Sequence, residues 1–324
     1  MKVGFISLGC SKNLVDTEHM MGALVAEGYE IVNAPDQADA VVVNTCGFIE
    51  EAKKEAISTI VEMGLLKEQG KFRILIATGC LAQRYSEELL EEMPELDAVI
   101  GVKDYLKLPS ILEQCAAGAR PHVVGGWPED YTHEIGRLVS TPPGWAYLKI
   151  AEGCNNRCTY CAIPGIRGPL RSRPSRELIR EAKNLVAGGV KELILVAQDS
   201  TAYGQDLSED EDLLRLVTDL ADINGLEWIR IMYAYPATNN QDLLSVLRTD
   251  KVVPYLDIPV QHGSDRILRL MERRYDRRII NETISDLRAL IPNLVLRTTL
   301  MTGFPGETEE DHHINLDMLR ELEF

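Results

Sequence analysis

Short apolar runs that alternate with amphipathic stretches set the tightest limit on how this chain can fold. Over residues 1–120 the strands read as VGFISLG (3–9), AVVVNT (40–45), RILIATG (73–79) and AVIGV (98–102). Segments between them, such as LVDTEHMMGALVAEG and EEAKKEAISTIVEMGLLKEQG, carry helical periodicity. That alternation predicts a parallel α/β domain. Pro121, Gly125, Gly126, Pro128, Pro142 and Pro143 then break the pattern, and residues 121–143 read as a linker. From residue 144 to 324 the alternation resumes, with strands at YLKIA (147–151), ELILVA (192–197), WIRIMY (228–233), YLDIPV (255–260) and LVLRTTLM (294–301). Helices are predicted near 175–188, 210–222, 239–248 and 264–290, and a last one from about Glu307. Five βα units in series predict a barrel of the (β/α) type, left incomplete because the chain stops at Phe324. A length of 324 residues accommodates two cores.

The cysteines fall at particular places in this map. Cys10, Cys46 and Cys80 each follow a strand directly, in SLGC, VNTC and ATGC. In an open parallel sheet the carboxyl ends of the strands share one edge, where ligands bind, so three thiols distant in sequence are expected to converge. The competing reading makes each a small apolar core residue. Cys115, near a helix end in LEQCAAG, has only that role. Cys154, Cys158 and Cys161 form CxxxCxxC just after the first strand of the second domain, at the barrel face where loops carry chemistry. Closely spaced thiolates bind zinc or iron–sulfur clusters. A closed zinc site needs a fourth ligand, and neither Cys115 nor any of the six histidines is placed to supply it. A 4Fe-4S cube on three cysteines leaves one iron free to bind a substrate or cofactor.

Seven scattered cysteines and no cleavable secretory signal point to a reducing cytoplasm. The opening MKVGFISLGC looks like a short lipoprotein signal, but its apolar core spans only Val3–Leu8 and includes Ser7, so it reads as a buried first strand. No run of eighteen apolar residues occurs, which predicts no membrane span. A net charge of −16, from 34 basic and 50 acidic residues, argues against direct nucleic-acid binding unless cations cluster. Arg167, Arg171, Arg173, Arg176 and Arg180 do cluster beside the chemistry and are expected to meet an anionic ligand. Most of the second group, Arg266, Arg269, Arg273, Arg274, Arg277 and Arg278, reads as a solvated helix face.

CxxxCxxC with Tyr160 just before its last cysteine resembles the signature of the radical S-adenosylmethionine (SAM) enzymes. With SLGC, NTC and TGC ahead of it, and IPGIRGPLRSR, AQDSTAYG, YLDIPVQHGSDRIL and GFPGETEED after it, the whole chain resembles the methylthiotransferases. SLGCSKNLVDTE, AYLKIAEGCNNRCTYCAIPGIRG and PYLDIPVQHGSDRIL are most similar to the branch that methylthiolates the β-carbon of an aspartate in the twelfth protein of the small ribosomal subunit. The resemblance implies two 4Fe-4S clusters, one on Cys154, Cys158 and Cys161 that cleaves SAM to a 5′-deoxyadenosyl radical, and one on Cys10, Cys46 and Cys80 for sulfur delivery. It further implies an external electron donor, and as protein partner the ribosomal protein, free or in the ribosome. Cofactor contacts are expected from Tyr160, Gln198, Asp199, Gln261, Gly303 and Gly306, with a turn cap as the alternative role of Gln198 and Asp199. His262, His312 and His313 are expected on surfaces without a catalytic role. Members of this family continue into a sixth βα unit and a small β-barrel that binds the macromolecular substrate; neither is in this sequence. A transfer-RNA adenosine methylthiotransferase, and a non-catalytic electron carrier or zinc scaffold, are the alternative readings.

Overall fold

The computed structural model describes residues 1–126, 136–208, 210–236 and 240–324; Pro128 and the rest of the expected linker at 127–135 lie outside the described residues. Two compact units are present, Met1–Ser140 with Gly165–Gly168, and Thr141–Pro164 with Pro169–Phe324.

Six parallel strands form the sheet of the first unit: β1 (Lys2–Ser7), β2 (Glu30–Val32), β3 (Ala40–Thr45), β4 (Ile74–Gly79), β5 (Ala98–Ile100) and β6 (His122–Val123), in the order β2-β1-β3-β4-β5-β6. Its helices are α1 (Ser11–Ala26), α2 (Glu50–Glu68), α3 (Cys80–Arg84), α4 (Ser86–Glu92) and α5 (Leu108–Ala116). Every residue of β3 and β4 is buried, because helices cover both faces. Val42 and Ile76 pack with Met20 and Leu24 of α1 and Ile111 and Leu112 of α5. Val41, Val43 and Leu75 pack with Ile60 and Met63 of α2 and Leu81 of α3 on the other face. Each such side chain, fully buried, contributes roughly 1.5–3 kcal/mol. In this unit two strands escape a reading of the sequence: β2, with three residues, and β6, with two. β6 lies within the segment read as linker and pairs with β5 through Val99↔His122. Strands that short are held by their neighbours rather than by their own pattern.

The second unit holds β7 (Trp145–Lys149), β8 (Ala151–Glu152), β9 (Arg171–Ser172), β10 (Glu192–Val196), β11 (Trp228–Ile231), β12 (Val252–Asp257) and β13 (Val295–Arg297). β7-β10-β11-β12-β13 is a parallel sheet in which each strand lies beside the one that follows it, an open partial barrel. Helices α6 (Ile163–Arg167), whose residues from Gly165 on belong to the first unit, α7 (Ser175–Ala187), α8 (Leu213–Ala221), α9 (Asn240–Leu247), α10 (Asp265–Leu270), α11 (Arg277–Leu290) and α12 (Glu309–Leu322) complete the chain. Alternate strand residues, including Leu148, Leu193, Ile229 and Leu256, are buried. Leu256 packs with Leu243 and Leu244 of α9, Ile284 of α11 and Met318 of α12. The helical region expected over 264–290 is two helices, α10 and α11, because Glu272 takes a left-handed backbone (φ 53°) and Asp276 caps a new helix by accepting from Ile279 N at 2.9 Å. Outside the barrel sheet, β8 pairs antiparallel with β9 and closes the base of the loop that carries Cys154, Cys158 and Cys161.

Candidate functional site

Register brings the first three thiols together. Ser7 pairs with Asn44, Asn44 with Thr78 and Thr45 with Gly79, so the strands end level and Cys10, Cys46 and Cys80 follow at one edge. Close approach needs glycine at two places. A Cβ on Gly9 (φ 89°) would lie 2.8 Å from the Cys46 Cβ, and one on Gly79 (φ 95°) 2.4 Å from the Thr45 carbonyl oxygen. The thiols are graded in burial: Cys10 is exposed, Cys46 intermediate and Cys80 buried.

Asn13, fully buried on α1, ties these loops to one another. Its Nδ2 donates to the Leu8 carbonyl at 3.1 Å and to the Thr45 carbonyl at 2.9 Å, and its Oδ1 accepts from Arg167 and lies 3.6 Å from the Cys80 Sγ. Arg167, only 1% exposed, also bonds Asp16 at 3.0 Å and approaches the Cys80 sulfur at 3.5 Å. Burial pushes the Cys80 thiol up to about 11, with Arg167 opposing. Desolvation also acts on Cys10, yet Lys12, Arg167 and N–H bonds from Asn13 and Lys12 hold its thiol below the ordinary value. Cys46 is raised, chiefly by desolvation, and feels the charge of Cys10.

In the second unit, Cys154, Cys158 and Cys161 share one irregular loop and are all half-buried. The Asn156 N–H donates to the Cys154 sulfur at 3.4 Å, and Arg273 Nη1 donates to the Cys158 sulfur at 3.3 Å. Desolvation raises both Cys154 and Cys161, and each also feels the Cys158 charge. Asp199 acts as a turn cap, accepting from Thr201 N at 3.1 Å, and it also accepts from Asn156 Nδ2 at 2.8 Å. Burial raises its carboxyl, against the bonds from Thr201 and Asn156. A cavity of about 730 Å³ borders Cys154, Asn156, Asp199, Tyr203 and Tyr235, a volume that suits a nucleoside-sized ligand.

The remaining expected cofactor residues fall into two places. Tyr160 stands edge-on to Phe304 (6.5 Å between ring centres), beside Gly303 (φ 74°) and ahead of Gly306 (φ 87°). Gln261 joins that same segment through its backbone, with N donating to Thr299 O at 3.0 Å and O accepting from Met301 N at 2.8 Å. Gln198 lies elsewhere, donating through Nε2 to Glu152 Oε1 at 2.8 Å, while Glu152 pairs with the buried Lys149 at 2.9 Å.

Both donor sets fit an iron–sulfur cluster in their chemistry, being soft thiols. Among the described residues no three His, Cys, Asp or Glu side chains gather tightly enough to hold a single metal ion. The thiols of each set are nonetheless close enough to feel one another's charge. For SAM, Gln198 Oε1 is a buried acceptor that no protein donor satisfies, and it lies on the loop next to Asp199.

Other residues differ from expectation. Arg167, Arg171 and Arg173, expected to meet an anionic ligand, are buried, and Arg167 pairs with Asp16 at 3.0 Å and Arg173 with Glu181 at 2.7 Å. His262, expected on a surface, is fully buried, its Nε2 3.2 Å from Glu307 Oε1 and its Nδ1 accepting from Ser264 N at 2.9 Å. Asn13, Arg167 and Arg273 escape a reading by motif, because their contacts join residues distant in sequence.

Residues 2–101 match the Uncharacterized protein family UPF0004, and residues 148–319 match the Radical SAM superfamily. Over its full length the chain is 52% identical to the ribosomal protein uS12 methylthiotransferase RimO of Syntrophomonas wolfei, covering 74% of that protein. It is 46% identical to the protein of that name from Clostridioides difficile and 49% identical to that from Acetivibrio thermocellus, again over 100% of the chain and covering 73% of each. Among solved structures, the radical SAM methyltransferase TsrM of Kitasatospora setae, with tryptophan and a SAM analogue bound, superposes with a TM-score of 0.72 at 15% identity, over 99% of this chain and 71% of that one. The cobalamin-dependent radical enzyme OxsB gives 0.67 at 14% identity, over 98% of this chain and 51% of that one. At such identities the likeness is one of fold. The chain belongs to the radical SAM methylthiotransferases, in the ribosomal protein uS12 methylthiotransferase RimO family.

Proposed function

We propose that this enzyme adds a methylthio group to the β-carbon of an aspartate in the ribosomal protein uS12. The observation that carries the reading is identity of 46–52% along the whole chain to proteins named for uS12 methylthiotransfer. Cys154, Cys158 and Cys161 hold the cluster that engages SAM, and Cys10, Cys46 and Cys80 hold a second cluster that handles sulfur. When bound, the first cluster and SAM supply one-electron cleavage of a sulfonium, giving a radical able to take hydrogen from an unactivated carbon.

The chain's own residues bind and orient. Asn156 links the Cys154 loop to Asp199 at the edge of the cavity, which fixes that wall, and Gln198 Oε1 offers its free acceptor to a donor on the ligand. Asn13 and Arg167 hold the first set of thiols in register. Residues 1–120 are assigned to sulfur handling, 121–143 to the linker and 144–324 to radical generation, with electrons from an external donor. Among the described residues no helix is long and apolar enough to cross a membrane, and we place the enzyme in the cytoplasm. Its net charge of −16 complements a basic ribosomal protein better than a polyanion.

The test is anaerobic reconstitution with iron and sulfide, reduction, and incubation with SAM and either uS12 or transfer RNA. Cleavage of SAM with methylthiolation of uS12 is the expected result. Modification of transfer RNA alone overturns the substrate; zinc uptake without iron overturns the chemistry.

A further inference from the structure

Arg273 lies in the turn between α10 and α11, and its guanidinium engages acceptors in several directions. Nη1 is 3.3 Å from the Cys158 Sγ and 3.3 Å from the Tyr160 Oη, Nε donates to the Tyr275 Oη at 2.6 Å, and Nη2 donates to the Pro259 carbonyl at 3.1 Å. Its carbon Cζ stands 4.4 Å from the Tyr235 ring centre and 4.8 Å from that of Tyr275. The neighbouring arginines are paired differently: Arg266 with Asp311, Arg277 with Glu321, Arg278 with Glu282. Among the described residues Arg273 has no carboxylate partner at ion-pair distance, although it is only partly exposed. The Asp199 carboxylate feels its charge from beyond that distance, and a half-buried cation without a close counter-charge is costly. The tyrosine rings offset some of that cost through their π faces. Cys158 offers the anion, once its thiol is deprotonated as a ligand.

The potential of an iron–sulfur cluster follows its net charge and the hydrogen bonds to its sulfurs. A fixed positive charge and an N–H bond at a ligand sulfur favour the reduced state, which carries one more negative charge. We propose that Arg273 raises the reduction potential of the cluster on Cys154, Cys158 and Cys161, and so brings it within reach of a one-electron donor. Arg273 is a positioning residue that acts through the Cys158 sulfur. The inference rests on the proposed assignment of those three cysteines as ligands. Lysine cannot replace it fully, because a point charge lacks the planar fork that serves sulfur, phenol and carbonyl at once.

The measurement is the midpoint potential of the reconstituted cluster, followed by the electron paramagnetic resonance signal of its reduced form during titration with dithionite. It is made on the full chain carrying Cys10→Ala, Cys46→Ala and Cys80→Ala, so that one cluster reports. It is repeated on the chain with all cysteines, where the other cluster serves as internal reference. With Arg273→Met the reduced-to-oxidised ratio at fixed potential is expected to fall about tenfold, which for a one-electron couple is about 59 mV to the negative side. Arg273→Lys should fall between, and the reference cluster should not move. A fully loaded cluster with unmoved potential in Arg273→Met overturns the proposal. Loss of the cluster from both variants also overturns it, because Arg273 is then a structural brace. If the unsubstituted chain takes up no iron at this site, it is the functional reading that fails; if it loads, cleaves SAM and shows no potential shift on substitution, only the role of Arg273 fails.

Discussion

The two sets of three cysteines are built in opposite ways. Cys10, Cys46 and Cys80 come from three strand ends of one sheet, and their meeting depends on the register of β1, β3 and β4. Cys154, Cys158 and Cys161 come from one loop whose spacing alone keeps them together, with β8 and β9 closing its base. Charge follows the same division. At the first set the nearby guanidinium, Arg167, is buried and paired with Asp16, and its charge also reaches all three thiols. At the second, Arg273 has no carboxylate at ion-pair distance among the described residues and donates to the Cys158 sulfur. The sheet-built site shares a cation that is already ion-paired, whereas the loop site meets a cation that reaches across from the turn after α10.

The largest expected effect separates the two sets by function. Cys158→Ala should abolish SAM cleavage and therefore every later product. Cys80→Ala should leave SAM cleavage intact while methylthiolated uS12 disappears. Quantifying 5′-deoxyadenosine and modified uS12 in parallel checks both. Equal loss of cleavage in the two variants would break the division of labour.

Thiol reactivity sharpens the gradient within the first set. A thiol raised from 9.0 to about 11, as Cys80 is, has about a hundredfold less thiolate near pH 8 than an unperturbed one. Cys10 is exposed and shifted the other way. In the metal-free chain, iodoacetamide should therefore label Cys10 well ahead of Cys80, and Cys80 labelling should keep rising with pH up to about 11. Peptide mass spectrometry over time reads both rates; similar rates at pH 8 would refute the gradient.

Asn13→Ala comes next in size. It removes the buried amide that joins the Leu8 and Thr45 carbonyls and leaves Arg167 one partner short. A cost of about 1–3 kcal/mol in unfolding free energy is expected. Iron at the first set should fall, and iron at the second should stay. Asn156→Ala, on the loop, should do the reverse at smaller cost in stability, because Asn156 is only part-buried.

How legible each region is in the sequence follows from the same contrast. CxxxCxxC is a local pattern, so the second set is visible as a motif. The first set is visible only through topology, since nothing local links SLGC, VNTC and ATGC. Long apolar strands such as β3 and β4 announce themselves; β6 does not, because two residues carry no periodicity and its hydrogen bonds come from β5. Arg273 looks like one more cation on a charged helix until the break at Glu272 turns it inward. His262 is hidden for a similar reason: burial against Glu307 is a fact of tertiary packing. Arg167, six residues past Cys161, reads as a partner for an anion, and the anion it finds is Asp16.

Helix starts extend the comparison to its smallest effect. At the first set, α1 begins at Cys10, which occupies the N-cap position without a side-chain cap bond. In the second unit, α12 begins with a full capping box, in which Thr308 Oγ1 accepts from Asp311 N and Asp311 Oδ2 accepts from Thr308 N at 3.0 Å. Hydrogen bonds from Arg266, Ser264 and Thr308 hold the Asp311 carboxyl well below the usual carboxylate range. A folded-state value below the unfolded one, about 3.9, means that this stabilisation is complete above that pH and is lost as pH falls through the folded value. The stability gap between the parent chain and Asp311→Asn should thus be flat near neutrality and narrow below about pH 4. Thr308→Ala should cost about 1 kcal/mol with iron content unchanged. Cys10→Ser inverts the pattern, since a hydroxyl supplies the missing cap while removing a proposed cluster ligand, so stability should hold or rise by a few tenths of a kcal/mol, roughly, as iron is lost at the first set. Chemical unfolding of the metal-free proteins, with iron analysis of the loaded ones, reads the two effects separately. A Cys10→Ser chain that loses stability before any metal is added would show that the thiol is needed for the fold.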